Sequence, residues 1–150
     1  MWDMGFIMLS KKLHYIWIGN SKTELANKCI DSFHKYMYDY EIIEWNESNI
    51  NSLNLDCIYK QYYDFWYDRG LFAFCTDIVR MFILEQYGGI YVDCDVEFIK
   101  HLPDSYIEKP IISRLTPKDT VNTGSIWGCE KHDPFTINLI NIIRNKLETD

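Results

Sequence analysis

The sequence predicts one α/β domain, with helices layered on a mostly parallel sheet, and three observations predict it. Its 150 residues are 47% hydrophobic and 25% charged, enough for a single core and too few for a second domain. Only 7 Gly and 4 Pro occur, with no repeat or low-complexity tract, which excludes disordered, fibrous and solenoid chains. Short apolar runs of strand composition alternate with longer segments whose apolar residues recur at helical spacing.

Residues 13–18 (L-H-Y-I-W-I) form a β-branched and aromatic run stopped by Gly19-Asn20, which reads as a buried strand and a turn. A helix follows, capped by Ser21 or Thr23, with Leu25, Cys29, Phe33 and Met37 on one face. Residues 40–45 (Y-E-I-I-E-W) give a second strand, ended by the polar cluster Asn46 to Asn49. A tyrosine-rich helix is expected from Asp56 to Asp68, and another from about Leu71 to Tyr87, terminated by Gly88-Gly89. Ile90-Tyr91-Val92 is then a short strand whose end carries Asp93-Cys94-Asp95, with Val96, Phe98 and Ile99 continuing the apolar signal. Ile111-Ile112 and Ser125-Ile126-Trp127 read as further strands. Asn122-Thr123-Gly124 reads as a turn before the last of these, with lining of a ligand site as the alternative. The final helix starts at Asp133-Pro134, Asp as cap and Pro in first position, and repeats Phe135, Leu139, Ile143 and Leu147. In such folds ligands sit beyond the carboxyl ends of the strands.

Charge and cysteine content narrow the functional classes. Fifteen Lys plus Arg against 22 Asp plus Glu give a net charge of −7, with no basic cluster longer than Lys11-Lys12, so a nucleic-acid binder is excluded. An acidic protein still binds phosphorylated small molecules when a divalent cation stands between carboxylate and phosphate. The five cysteines are odd in number and widely spaced without a C-x-x-C pair, which predicts reduced, mostly buried thiols in a cytosolic protein. The first ten residues are too short and too acidic for a signal peptide or membrane span, and residues 1–7 read as an extension that adds nothing to the fold.

Three features carry chemistry. Asp93 and Asp95, two apart, point to one face of a regular strand and can share a metal ion, although 13 Asp in the chain make about one D-x-D expected by chance. Asp77 and Arg80 lie at i and i+3 amid Phe74, Ile78, Met81 and Leu84, so a buried member of the pair needs a polar partner, and sugar hydroxyls would serve. Trp17 stands before Gly19 at a strand end, where it can stack on a base, an ordinary core tryptophan being the equal alternative. His14 reads as a core histidine without a role. An apolar strand before D-x-D also marks haloacid-dehalogenase-like phosphatases, but that motif wants Thr or Ser where this chain has Glu97.

The segments K-K-L-H-Y-I-W-I-G, K-C-I-D-S-F, Y-E-I-I-E-W-N-E-S-N, T-D-I-V-R, Y-G-G-I-Y-V-D-C-D-V-E, N-T-G and E-K-H-D-P occur in that order from about residue 11 to 136. Together they strongly resemble the D-x-D sugar-binding region of glycosyltransferase family 32, the bacterial capsular polysaccharide type, which is similar to yeast initiating mannosyltransferases and clostridial toxin glucosyltransferases. The resemblance implies a GT-A, Rossmann-like sandwich, a UDP- or GDP-sugar donor, a divalent metal (Mn²⁺ or Mg²⁺) and retention of anomeric configuration. It assigns Asp95 to the metal, Asp93 to the metal, ribose and sugar, Asp77 and Arg80 to sugar hydroxyls and phosphate, and Trp17 to the base.

Thr76 and Cys94 stand where the family more often has Ser and Thr. Family members also continue to a segment with a His and a Ser-Trp pair resembling a lid, whereas this sequence ends at Asp150, so the expectation is a truncated domain with weakened transfer. The acceptor implied is a glycan or lipid-linked glycan, with the enzyme in the cytoplasm at the inner membrane face, although no amphipathic basic helix supports membrane association.

Overall fold

The computed structural model describes residues 8–115 and 120–149, so the expected extension at residues 1–7 lies outside the described residues. The chain runs β1 (Lys12–Ile16), α1 (Glu24–Tyr36), β2 (Glu41–Trp45), α2 (Cys57–Tyr67), α3 (Phe72–Tyr87), β3 (Gly89–Val92), β4 (Ile111–Leu115), β5 (Thr120–Cys129) and α4 (Pro134–Thr149). The strands make one sheet in the order β2-β1-β3-β5-β4.

Side chains alternate across this sheet with the strand period of two. Leu13, Tyr15, Ile90 and Val92 face α1 and pack with Cys29, Ile30, Phe33 and Met37. Ile16, Tyr91, Trp127 and Cys129 face the opposite layer, where α3 contributes Ile78, Val79, Phe82 and Ile83, α2 contributes Tyr59 and Tyr63, and α4 contributes Ile140. The sheet is therefore a central layer with α1 on one face and α2, α3 and α4 on the other.

Local sequence explains the element ends. Thr23 caps α1 by accepting from the Ala26 amide at 3.1 Å, Asp56 caps α2 through the Tyr59 amide at 3.2 Å, and Asp133 caps α4 through the Thr136 amide at 2.9 Å. Gly88 and Gly89 stop α3 with φ of 63° and 98°, and a Cβ on Gly88 would lie 2.5 Å from the Lys131 nitrogen.

Four expectations need correction. The sheet is mixed rather than mostly parallel: β1 pairs in parallel with β2 and β3, whereas β5 is antiparallel to both β3 and β4. Between β3 and β4 the only helical piece is a 3-10 turn at Asp104–Tyr106, so no crossover helix returns the chain in parallel. Asn122, Thr123 and Gly124 lie inside β5 rather than in a turn before it. Leu25 and Phe135 are exposed; Ala26 is buried in α1 together with Cys29, Ile30, Ser32 and Phe33, and Thr136 and Ile140 are buried in α4. Four-residue spacing drifts about 40° per step on a 3.6-residue helix, so the apolar stripe and the buried stripe part. The apolar residues after Asp95 form no strand; Val96 and Phe98 pack against the α1-side core, while Ile99 is exposed.

Candidate active site

The parallel strands β1 and β3 end side by side, delivering Trp17 after one and Asp93 after the other. These ends open on a cleft of about 440 Å³ whose walls include Trp17, Asn20, Phe72, Thr76, Asp93 and Asp95. Its place beyond the carboxyl ends of the parallel strands is the place the fold class predicts.

Trp17 is half-buried and held at both ends. Its backbone nitrogen donates to the Trp45 carbonyl at 2.9 Å, continuing the pairing of β1 with β2, and its indole Nε1 donates to the Asn20 carbonyl at 2.6 Å. A tryptophan lining a cleft with its polar edge satisfied offers an aromatic face to a planar ligand.

The two aspartates reach the cleft by a different route from the one their spacing suggested. They lie past the end of β3 in a turn closed by the Val96 amide on the Asp93 carbonyl at 3.1 Å, so turn geometry, not strand alternation, brings both to one cleft. The Asp93 amide donates to the Ser125 carbonyl at 3.0 Å, and its Oδ1 accepts from the Tyr91 hydroxyl at 2.5 Å. Burial pushes the Asp93 carboxyl up, against the Tyr91 hydroxyl and the Arg80 cation, which favour the carboxylate; nearby Asp95 and Asp77 push with the burial. Asp95 is exposed.

Arg80 is the buried member of its pair, with 7% of its side chain accessible against 62% for Asp77. Its guanidinium donates to the Asp77 carboxylate and to the carbonyls of Thr123 at 3.2 Å and Thr76 at 3.3 Å. It lies 3.9 Å from Asp93 Oδ1 and over the Tyr91 ring at 5.1 Å. The structure thus joins Trp17, Asp93 and Asp95 in the cleft and sets Arg80 directly behind Asp93. Asp77 does not line this cleft; it pairs with Arg80 and borders a second groove, beside Trp66, Phe74, Met81 and Thr123.

Among the described residues no group of three His, Cys, Asp or Glu converges to cage a metal. Two neighbouring carboxylates on an open cleft do fit a hard divalent cation that completes its shell with phosphate oxygens and water. Cys94 is unsuited to such a role, because burial pushes its thiol up to about 12 and its Sγ donates to the Ile16 carbonyl at 3.3 Å. All five cysteines are free, and Cys29, Cys75 and Cys129 are buried as expected. His14 is a core residue: Nδ1 accepts from the Trp45 indole at 3.1 Å and Nε2 donates to the Gly88 carbonyl at 2.9 Å, with burial holding it neutral.

Sequence reasoning gave Tyr91 no part in the site and named Thr123 only within the Asn122-Thr123-Gly124 alternative, without its contact to Arg80. Tyr91 carries a local signal, since residues 91 and 93 share one side of an extended segment; the approach of Thr123 to Arg80 spans 43 positions and leaves none.

Comparison with known proteins follows the same lines. The family described as "Glycosyltransferase sugar-binding region containing DXD motif" matches residues 23–115. Inositol phosphoceramide mannosyltransferase 3 of Schizosaccharomyces pombe is 30% identical over 132 residues, 86% of this chain and 32% of that protein. Among solved structures, the PaToxG glycosyltransferase superposes with a TM-score of 0.70 at 19% identity, covering 95% of this chain and 63% of that one. The UDP-bound glycosyltransferase domain of the YGT toxin gives 0.64 at 11% identity, covering 91% and 62%. The chain therefore spans about a third of the yeast relative and somewhat under two thirds of the toxin domains. The fold is that of glycosyltransferase domains, and the chain belongs to the glycosyltransferase sugar-binding-region family that contains the DXD motif.

Proposed function

We propose that this domain binds a nucleotide-diphosphate sugar and transfers its hexose, with retention, to a glycan or lipid-linked glycan hydroxyl, as a family 32 enzyme of capsular polysaccharide type. One observation carries the reading: an aromatic platform and two adjacent carboxylates share one cleft, with a buried guanidinium set behind them. Trp17 would stack on the base and Asp93 would orient ribose and sugar. Asp95, with Asp93, would hold a Mn²⁺ or Mg²⁺ ion, whose positive charge when bound stabilises the departing diphosphate. Arg80, already desolvated and fixed by carbonyls, supplies cationic charge near the same phosphates without reorganising. Asp77, largely exposed, keeps acceptor capacity for a sugar hydroxyl while it pairs with Arg80. The UDP in the YGT toxin domain and the mannosyl transfer in the name of the yeast relative support a UDP- or GDP-hexose donor. No helix of the described residues is long and apolar enough to cross a membrane, and we place the enzyme in the cytoplasm, peripheral to the inner membrane face.

A second reading, donor binding with slow turnover, is favoured by the exposure of Asp95, which leaves the sugar end of the cleft open to water. Proton NMR of UDP- and GDP-hexoses incubated with the protein and diamagnetic Mg²⁺ tests both. Release of nucleotide diphosphate with a first-formed sugar of the donor's own anomeric configuration, lost in Asp95→Asn, is expected. Donor line-broadening without release would select the second reading, and neither with any donor would sink both.

A further inference from the structure

The β4–β5 pairing breaks its register at one place: Ile112 faces Trp127, yet the next residue, Ser113, faces Asn122. Residues 123–126 thus have no partner on β4 and are turned toward β3 and α3. There Ile126 pairs with Val92, the Ser125 carbonyl accepts from the Asp93 amide at 3.0 Å, and the Thr123 carbonyl accepts from Arg80 Nη1 at 3.2 Å. Gly124 leaves the space in which Asn122, Arg80 and Asp93 meet, since a Cβ there would lie 2.9 Å from Asn122 Oδ1, 3.0 Å from Arg80 Nη1 and 3.4 Å from Asp93 Oδ2.

Asn122 closes this bulge. Its Oδ1 accepts from the Gly124 amide at 2.8 Å, its Nδ2 donates to the Ser125 hydroxyl at 2.9 Å, and its own carbonyl accepts from Ser113 Oγ at 2.6 Å, tying the bulge to β4. A bulge that interrupts a ladder to aim carbonyls at neighbouring side chains is a recurrent device beside functional sites.

We propose that Asn122 is a positioning residue: by closing the 122–125 bulge it holds the Thr123 carbonyl on Arg80 and so sets the Arg80–Asp93 pair for the sugar-phosphate end of the donor. This rests on the donor-site reading above. Trp17 lines the cleft, whereas none of residues 122–125 is among its walls.

Two variants disturb the bracket, one by deletion and one by crowding. Asn122→Ala removes the latch, and Gly124→Ala fills the gap between Asn122 Oδ1 and Arg80 without needing an unusual backbone angle. The full chain, labelled with ¹⁵N, is followed by the Arg80 Nε–Hε signal, identified by its loss in Arg80→Lys, and by titration with UDP, GDP and their hexose conjugates in diamagnetic Mg²⁺. In both variants we expect that signal to shift and exchange about tenfold faster, and affinity for the sugar conjugate to fall roughly tenfold while affinity for the bare nucleotide changes less than about twofold. An unchanged Arg80 signal overturns the proposal, as does an equal loss of nucleotide and nucleotide-sugar affinity. Should the wild type bind no donor, the functional reading fails and the Arg80 signal alone decides whether the bracket exists. If Asn122→Ala does not melt cooperatively, Gly124→Ala carries the same comparison.

Discussion

Asp95 and Trp17 face the solvent-filled cleft, whereas Arg80 is sealed beneath it, and the difference sets what each substitution does. Asp95→Asn removes one charge from an exposed turn, so thermal stability should stay within about 0.5 kcal/mol of wild type while any Mn²⁺-dependent nucleotide binding disappears. Trp17→Ala should cost about 1–3 kcal/mol of nucleotide affinity by calorimetry, and Trp17→Phe should recover most of it, because a ring face and not the indole N–H meets the base. His14 governs a pH effect remote from the site. Burial lowers it from 6.5 to about 4, so between those values the unfolded chain takes up a proton that the folded chain refuses. Stability should therefore fall as pH drops from 6.5 toward 4, by on the order of 3 kcal/mol, and urea unfolding of His14→Gln should show a correspondingly shallower acid decline. At this scale the D-x-D taken alone is indistinguishable from chance; the ordered motifs around it gave it context in the sequence, and its neighbours in space, Tyr91 and Arg80, distinguish it structurally from an acidic turn.

The loop between β1 and α1 is the element on which the donor site depends most. Gly19 has φ of 85°, and a Cβ there would lie 2.3 Å from the Phe72 ring at the start of α3. Its amide donates to Glu47 Oε1 at 2.6 Å, and the same oxygen accepts from the Tyr67 hydroxyl at 2.8 Å, so the turn after β2, α2 and α3 all meet this loop. Gly19→Ala should lower the melting temperature and weaken nucleotide binding together, whereas adding Phe72→Leu should restore part of each by making room. Thr23→Ala should cost about 1 kcal/mol in denaturant unfolding through the lost α1 cap. Helix starts were legible because capping is a local bargain between a side chain and an amide three residues on, as Thr23, Asp56 and Asp133 show. The register of β5 was not, since its bulge answers to Arg80 and Asp93, which are distant in sequence.

For the whole molecule, ligand binding and folding are linked, because the cleft is built from β1, β3 and α3 and exists only when they are assembled. A donor at about 100 times its dissociation constant should stabilise the fold by about 2.7 kcal/mol in a thermal-shift panel of UDP, GDP and their sugars, and EDTA should abolish that gain. A gain of the same size in EDTA would mean that the nucleotide is held without a cation at Asp93 and Asp95. The sequence by itself determined the α/β class, the order of helices and strands, the caps and the residues worth watching, because periodicity, capping and turn chemistry act over a few neighbouring positions. Tertiary structure alone decided that the sheet is mixed, that Asp93 and Asp95 meet through a turn, that Arg80 is buried behind them while Asp77 looks out on another groove, and that β5 bulges to join them. Those outcomes depend on contacts between strands and helices tens of residues apart, which no local pattern encodes.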